Sequence, residues 1–185
     1  MGHHSNVPAP ALLRTEPVGT RHRAALLRLR VQPEQRAYVG AVADLLADAD
    51  ACPASTSLAI LYGEEVIGHA RIEANARSVA GYEPAQPSVG LRAFLIDARH
   101  QGQGLGTRAL ATLLNELAVR HPHAREVMLA VDADNTAALA LYRRAGFSEA
   151  RRGYHGAPFP SQRLLWRALP DASDPCTTTN ATSST

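Results

Sequence analysis

The stretch FLIDARHQGQGLGTRALATLLNEL, residues 94–117, constrains the fold most, because three glycines join a strand-like run to a helix-like run. Gly102, Gly104 and Gly106 stand at alternate positions. Glycines permit positive φ and let the backbone approach a ligand closely. The first N–H groups of a helix lack internal partners, and the helix dipole is positive at that end. The stretch therefore predicts a strand, a loop that cradles an anion such as phosphate, and a helix.

Two known glycine motifs fit this loop poorly. A Walker loop needs Lys-Ser or Lys-Thr after its last glycine, whereas Thr107 and Arg108 follow Gly106 here. A dinucleotide fingerprint is matched formally by Gly104-x-Gly106-x-x-Ala109, but that motif should open the first βαβ unit of a domain. Here several other predicted strands precede the loop, so we interpret it as a different kind of phosphate-binding loop.

Hydrophobic patterning around the loop predicts a mixed α/β sandwich with the element order β-α-β-β-β-α-β-α-β-β. The predicted strands lie at 23–31, on both sides of a turn in 57–74, and at 88–97, 126–131, 147–155 and 161–169. One predicted helix runs from Pro33 to Ala49, and a second has an apolar face of Leu110, Leu113, Leu114 and Leu117. A third helix begins at Asp134 or Asn135 and ends at Gly146.

Two motifs together resemble the GNAT superfamily of acetyl-CoA-dependent N-acetyltransferases. The first is Gln-x-x-Gly-x-Gly, formed by Gln101, Gly104 and Gly106 after the FLID strand. The second is DNTAALALYRRAGF, residues 134–147, which is similar to the family pattern Asn-x-x-Ala-x-x-x-Tyr-x-x-x-Gly-Phe. The resemblance covers residues 20–170. It implies one α/β (α+β) domain with a mixed, largely antiparallel central sheet flanked by helices, in which strands 4 and 5 splay apart.

The resemblance also implies acetyl-CoA as cosubstrate, without a metal. Main-chain N–H groups of the glycine loop would bind the pyrophosphate of coenzyme A; the residues concerned are Gln101, Gly102, Gln103, Gly104, Leu105, Gly106 and Thr107. The main chain of Leu95 and Ile96 would pair with pantetheine and supply the oxyanion donor. Asn135 would contact the cofactor or order the helix that it begins.

Tyr142 is the predicted catalytic residue. Acetyl transfer from a thioester to an amine requires a proton for the departing thiolate. Asn135, Leu139 and Tyr142 stand at i, i+4 and i+7 and so share one helix face, and the matching tyrosine of the family points at the sulfur. An amphipathic tyrosine of the core is the alternative reading. For the general base the residues leave four candidates open, which are Glu73, Asp97, His69 and His155, together with a water chain.

The acceptor is expected to be a small amine. VQPEQRAYV (31–39) and FLIDARHQGQGLG (94–106) are similar to segments of bacterial diamine and spermidine N-acetyltransferases. The candidate substrate-binding residues are Glu34, Tyr38 and Glu73, and a pocket for a polyamine should offer carboxylates such as that of Glu34. Acetylation of a peptide or antibiotic amine is one alternative function, and a non-catalytic acetyl-CoA-binding module is another.

Charge and composition exclude some partners. The 19 basic and 17 acidic residues give a formal net charge of only +2, with no dense Lys/Arg block, which argues against nucleic acid. The chain lacks an apolar run of the roughly 18 residues that span a bilayer and an N-terminal signal segment, so a cytoplasmic enzyme without membrane partners is expected. Residues 1–20 and 171–185 are expected to be disordered around an acetyltransferase domain at 21–170. Dimers are common in the family, so a homodimer is one expected state.

Overall fold

The computed structural model describes residues 11–151 and 161–170 of the 185-residue chain. Within them, seven strands form a single sheet in the order β1-β2-β3-β4-β5-β7-β6. The strands are β1 (Leu13–Pro17), β2 (Ser55–Tyr62), β3 (Glu65–Glu73), β4 (Ser88–Ile96), β5 (Glu126–Asp132), β6 (Ser148–Glu149) and β7 (Gln162–Ala168). All neighbours are antiparallel except β4 and β5, so the predicted mixed, largely antiparallel sheet is confirmed.

Helices cover both faces of this sheet. They are α1 (Thr20–Leu26), α2 (Arg36–Val39), α3 (Val42–Asp50), α4 (Arg77–Ala80), α5 (Leu105–Arg120) and α6 (Thr136–Arg144), with short 3-10 turns at Pro33–Gln35 and Ala98–His100. On one face, α5 and α6 enclose the largest apolar core, in which the predicted leucines Leu110, Leu113, Leu114 and Leu117 are fully buried. Leu26 of α1 and Leu46 of α3 pack on the opposite face.

The first part of the chain differs from the prediction. The expected strand at 23–31 is wrong, because α1 occupies Thr20–Leu26 and the first strand is β1, which pairs with β2. The folded domain therefore begins before the predicted boundary at residue 21. The expected helix from Pro33 to Ala49 is interrupted at Gly40, whose φ of 70° lies in the left-handed region. Residues 1–10, 152–160 and 171–185 lie outside the described residues, including the last four residues of the strand predicted at 147–155, of which the structure describes the short strand β6.

Strands β4 and β5 pair only at their first three residues. Ser88, Val89 and Gly90 face Glu126, Val127 and Met128 in parallel register, and no pairing follows. Beyond this point β4 continues to Ile96 along β3. A register shift leaves Arg92 without a paired residue on β3 in the strand register. The two strands thus diverge as predicted, and the glycine loop and α6 lie at the open end of the splay.

Among the residues described, no helix is long and apolar enough to cross a membrane. The same part of the chain contains no group of three or more His, Cys, Asp or Glu side chains placed to hold a metal ion.

Candidate active site

A cavity of about 390 Å³ lies in the splay between β4 and α6. Most of the predicted site residues line it together, namely Leu95, Ile96, Gln101, Gly102, Gly104, Gly106, Thr107, Asn135 and Tyr142. Its other walls include Val31, Gln35 and Val39, which belong to the chain segment around α2. The cavity therefore extends from the glycine loop, through the splay, to the face of the sheet that carries α2.

The glycine loop is open over its backbone. Gly102 and Gly104 both have φ of 74°, and no atom lies within 4 Å of the position that a Cβ would take at either residue. Gly104 is the N-cap of the 16-residue helix α5, whose first turn carries no acidic side chain. The first internal bond of α5 joins Arg108 N to Gly104 O, so the preceding N–H groups have no helical acceptor. This arrangement fits an anion with several oxygens.

Gln103 and Leu105 contribute to this loop in other ways. The Gln103 side chain is exposed and its Nε2 donates to Arg99 O at 3.0 Å. The Leu105 side chain is buried in the core beneath α5, which leaves only its main chain for a ligand. Arg144, which sequence reasoning missed, lines the cavity from the end of α6 and adds a positive charge that suits a phosphate-bearing ligand. An arginine in the last turn of a helix is so common that the sequence offered no signal for this role.

The main chain of β4 presents alternate residues to the splay. Asp97 N donates to Ile67 O of β3 at 2.7 Å, and Leu95 O also lies against β3, close to Gly68. Successive backbone groups of a strand point in opposite directions, so those of Phe94 and Ile96 face the opening. The geometry accordingly favours Ile96, which was predicted, and Phe94, which was missed, and it turns the main chain of Leu95 away. Which residues of β4 turn their main chain to the splay depends on how β4 pairs with β3, and the sequence alone does not show that pairing.

Tyr142 lies on α6 in the wall of the cavity and is 8% exposed. Its ring packs edge to face on Phe147, with centroids 5.6 Å apart and an interplanar angle of 63°. Burial raises the pKa of its hydroxyl well above the usual value, so the phenol stays protonated at physiological pH. A buried, protonated hydroxyl is suited to give a proton to an anionic leaving group.

Asn135 begins helix α6. Its Oδ1 accepts a hydrogen bond from Ala138 N at 3.1 Å, which satisfies one of the unpaired N–H groups of the first turn. Of the two predicted N-caps, Asn135 is the one used. Because Tyr142 lies two turns further along α6, Asn135 helps to hold the helix that carries it.

The candidates for a general base are engaged elsewhere. Asp97 is buried and accepts from Arg30 N at 3.1 Å and from Arg99 Nε at 2.8 Å. Burial acts to raise the pKa of Asp97, but the hydrogen bonds from Arg99 and Arg30 outweigh it, and the net pKa is below its usual value. His69 is fully buried against Ser57 Oγ at 3.1 Å. Burial, followed by the charge of Arg71, lowers the pKa of His69 to about 4. His155 lies outside the described residues.

Glu73 is tied into a buried polar cluster on the α3 face of the sheet. Its Oε2 accepts from Ser55 Oγ at 2.8 Å, and its Oε1 lies 2.9 Å from Arg71 Nε. The residue is only 4% exposed and does not line the cavity. A buried carboxylate requires a charged or hydrogen-bonding neighbour, and Arg71 and Ser55 provide both for Glu73. These contacts favour a structural role for Glu73 within the sheet.

The other two candidate substrate-binding residues lie near the acceptor side without lining the cavity. Glu34 is exposed on the 3-10 turn Pro33–Gln35. Tyr38 is half-buried on α2 and faces the loop that precedes α6. Burial, followed by the carboxylates of Asp134 and Asp132, raises the pKa of Tyr38. These two carboxylates add negative charge close to the mouth of the splay.

Comparison with known proteins agrees with this geometry. The sequence profile of the Acetyltransferase (GNAT) family matches residues 23–147. The spermine/spermidine N(1)-acetyltransferase of Bacillus subtilis (strain 168) is 30% identical over 132 residues, which cover 68% of this chain and 81% of that protein. The [ribosomal protein bS18]-alanine N-acetyltransferase of Escherichia coli (strain K12) is 39% identical over 77 residues, covering 40% and 51%.

A similar fold occurs in solved structures. The crystal structure of spermidine N-acetyltransferase from Vibrio cholerae in complex with CoA and spermine superposes with a TM-score of 0.61 at 16% identity. The superposition covers 86% of this chain and 96% of that one.

Proposed function

The chain belongs to the Acetyltransferase (GNAT) family, and from this premise we propose that it transfers the acetyl group of acetyl-CoA to a primary amine of a small molecule, such as the polyamine spermidine. The observation that carries the proposal is the splay. One cavity brings together an open glycine loop, the end of β4 that does not pair with β5, and the side of α6 that carries Tyr142. Transfer proceeds by direct attack of the amine in a ternary complex in the cytoplasm.

Bound acetyl-CoA supplies an acetyl group activated as a thioester. The N–H groups between Gln101 and Thr107 bind its pyrophosphate, supported by the dipole of α5 and the charge of Arg144. The main-chain N–H groups of Phe94 and Ile96 provide donors along β4, one of which stabilises negative charge on the acetyl oxygen. Tyr142 holds a proton at its hydroxyl for the departing sulfur.

No single side chain is assigned as the base. Asp97 and His69 are hydrogen-bonded within the protein, and Glu73 is paired with Arg71. A neutral amine reaches the site by losing its proton to water, which avoids any need for a dedicated carboxylate or imidazole. Activity should therefore rise with pH as the acceptor amine deprotonates.

Two observations support a polyamine acceptor. The B. subtilis relative matches this chain along most of its own length and is named for spermine and spermidine. In addition, Asp132 and Asp134 lie with Tyr38 near the mouth of the splay, and Glu34 is exposed on the same side. Carboxylates there would attract the second ammonium group of a polyamine while its first amine reacts.

A peptide N-terminus is the second candidate acceptor, because the relative named for alanine acetylation of a ribosomal protein matches at 39% identity over a shorter region. The purified protein should be incubated with acetyl-CoA and either spermidine or a peptide with an N-terminal alanine. Release of CoA and the mass of the product are then measured. We expect acetylspermidine and little acetylated peptide. Peptide acetylation without spermidine acetylation would overturn the acceptor, and release with neither amine would count against catalysis.

A further inference from the structure

The chain segment on the acceptor side is attached directly to the end of β4. Arg30 N donates to Asp97 Oδ2 at 3.1 Å, and Ala98 N donates to Arg30 O at 2.7 Å. Asp97 is only 1% exposed, so this attachment is protected from water. The position of the chain just before the 3-10 turn Pro33–Gln35 is thereby set by the residues that lead into the glycine loop.

A second attachment joins Gln35 to Gln101. Gln101 Nε2 donates one hydrogen to Ile96 O at 2.7 Å and the other to Gln35 Oε1 at 2.9 Å. Ile96 O can only accept, so the amide of Gln101 must present its nitrogen, and Gln35 must present its oxygen. The same Gln35 oxygen accepts from Gln32 N at 3.2 Å. Both hydrogens of the Gln101 amide are therefore used, and its orientation is determined.

These bonds connect the two halves of the cavity. The main chain of Gln101 belongs to the glycine loop, and its side chain takes the place of β5 as the partner of Ile96 O. Gln35 lines the cavity from the other side, together with Val31 and Val39. Its segment continues into α2, where Tyr38 faces Asp134 across the splay. One hydrogen bond therefore joins Gln101 of the glycine loop to the Gln35 wall of the cavity.

We propose that Gln35 is a positioning residue. When CoA binds and orders the glycine loop, the hydrogen bond between Gln101 and Gln35 also orders residues 33–40, which form the acceptor side of the cavity. This rests on the proposed function, because it assumes that CoA binds at the loop. The conformational entropy lost in ordering this segment is lost when the first ligand binds. The second ligand then binds more tightly, so the two binding events are cooperative.

The test uses three forms of the protein. Gln35→Glu keeps an oxygen that accepts from Gln101 Nε2 and Gln32 N, whereas Gln35→Met has a similar length without any acceptor. Hydrogen–deuterium exchange of each form is measured with and without saturating CoA. We expect CoA to slow exchange at 101–108 in all three forms. Exchange at 33–40 should slow in the parent and in Gln35→Glu, but not in Gln35→Met.

Kinetics with spermidine provide the second readout. In Gln35→Met the KM for spermidine should rise by about fivefold or more, the lower end of common coupling factors, while kcat and the Kd of CoA change less than twofold. Gln35→Glu should keep the KM for spermidine at or below the parental value, because its oxygen still accepts from Gln101 and its charge attracts the polyamine. A residue that merely supports the fold would alter kcat and thermal stability as well.

The outcomes separate the two proposals. Slowed exchange at 33–40 in Gln35→Met, equal to that of the parent, would overturn the role of Gln35. Protection confined to 101–108 in the parent would overturn the transmission while leaving the cofactor site intact. Absence of protection at 101–108 in every form would remove the cofactor site, and both proposals would fail with it.

Discussion

Tyr142 combines two properties at the scale of a single residue. Its ring belongs to the core through Phe147, while its position on α6 brings the residue into the cavity wall. Burial keeps the hydroxyl protonated, since the phenolate would be poorly solvated there. The structural and chemical readings of this tyrosine are thus compatible, and substitution of the hydroxyl alone can separate them.

We expect Tyr142→Phe to lower kcat by about 100-fold, the lower limit for loss of a positioned proton donor. The phenyl ring preserves packing on Phe147, so the melting temperature and the Kd of CoA should remain close to those of the parent. Tyr62→Phe is a matched control, because Tyr62 lies beneath the Arg108 guanidinium and outside the cavity wall. Equal kcat values in parent and Tyr142→Phe would refute the acid role.

The raised pKa of Tyr142 also predicts the alkaline side of the pH profile. The hydroxyl keeps its proton beyond the usual phenol range, so its ionisation should not reduce kcat between pH 8 and about 10. A decline in this range that disappears in Tyr142→Phe would show that the hydroxyl ionises earlier. Initial rates at saturating acetyl-CoA and amine measure the profile.

Substitution of Gly106 tests whether this glycine is needed for ligand binding or for the fold. A Cβ at this position would meet only Ile96 Cγ1 at 3.8 Å, an ordinary contact, and no positive φ is required. Gly106→Ala should leave stability unchanged or raise it by up to about 1 kcal/mol, because alanine favours the helix. The added methyl would obstruct the phosphate approach, so the Kd of CoA should rise by about tenfold or more, equivalent to 1.4 kcal/mol.

Gly19→Ala serves as the control for that substitution. No atom lies within 4 Å of a Cβ at Gly19, which precedes α1 and lies away from the cavity. Calorimetric titration with CoA and thermal unfolding of both variants give the comparison. Unchanged CoA affinity in Gly106→Ala would mean that the phosphates do not approach this part of the loop.

At the scale of elements, α6 depends on its first residue. Asn135→Ala removes the cap of the Ala138 N–H and should cost about 1 kcal/mol. For a domain of this size that corresponds to a decrease of about 2–4 °C in melting temperature. Asn135→Asp retains a capping oxygen and should melt close to the parent. If both variants retain the parental melting temperature, the cap does not stabilise the helix measurably.

The splay is also a property of elements rather than of residues. β4 pairs with β3 from Gly90 to Ile96 but with β5 only at its beginning, so within the described residues the rest of the edge that faces β5 has no strand partner. Unpaired strand edges bind readily to extended ligands. The Gln101 side chain donates a hydrogen bond to Ile96 O, so this carbonyl has a partner although β5 does not pair with β4 here.

At the scale of the whole molecule, stability should depend on pH through His69. Its pKa is about 4 in the folded state against an ordinary 6.5, because burial and Arg71 oppose protonation. The unfolded chain therefore binds more protons between these values. The stabilisation is complete above pH 6.5 and is lost as the pH falls towards 4. Between pH 7 and pH 5 the loss should be roughly 2 kcal/mol.

Urea unfolding at several pH values measures this slope. His69→Gln retains a group that can bond Ser57 but does not titrate, so its stability should fall less steeply between pH 7 and pH 5. His123→Gln, which changes an exposed histidine, should follow the parent. Parallel curves for parent and His69→Gln would show that His69 is not the source of the acid sensitivity.

The sequence by itself determined the elements that local patterns encode. The leucine face predicted α5, the glycines predicted the loop before it, and two short apolar runs around a turn predicted the hairpin of β2 and β3. The resemblance of two motifs to a known family also predicted the family to which the chain belongs. These features depend on residues close together in the chain, where helical or strand periodicity and capping chemistry are visible without knowledge of the fold.

Only the tertiary structure decided how these elements meet. β1 was missed because its pairing with β2 joins residues 41 to 49 positions apart in the chain. The choice of Phe94 over Leu95 depends on which edge of β4 is occupied, and the roles of Asp97 and Gln101 depend on Arg30 and Gln35. Such contacts are set by long-range packing, since a strand edge or a buried carboxylate accepts whichever partner the fold brings to it.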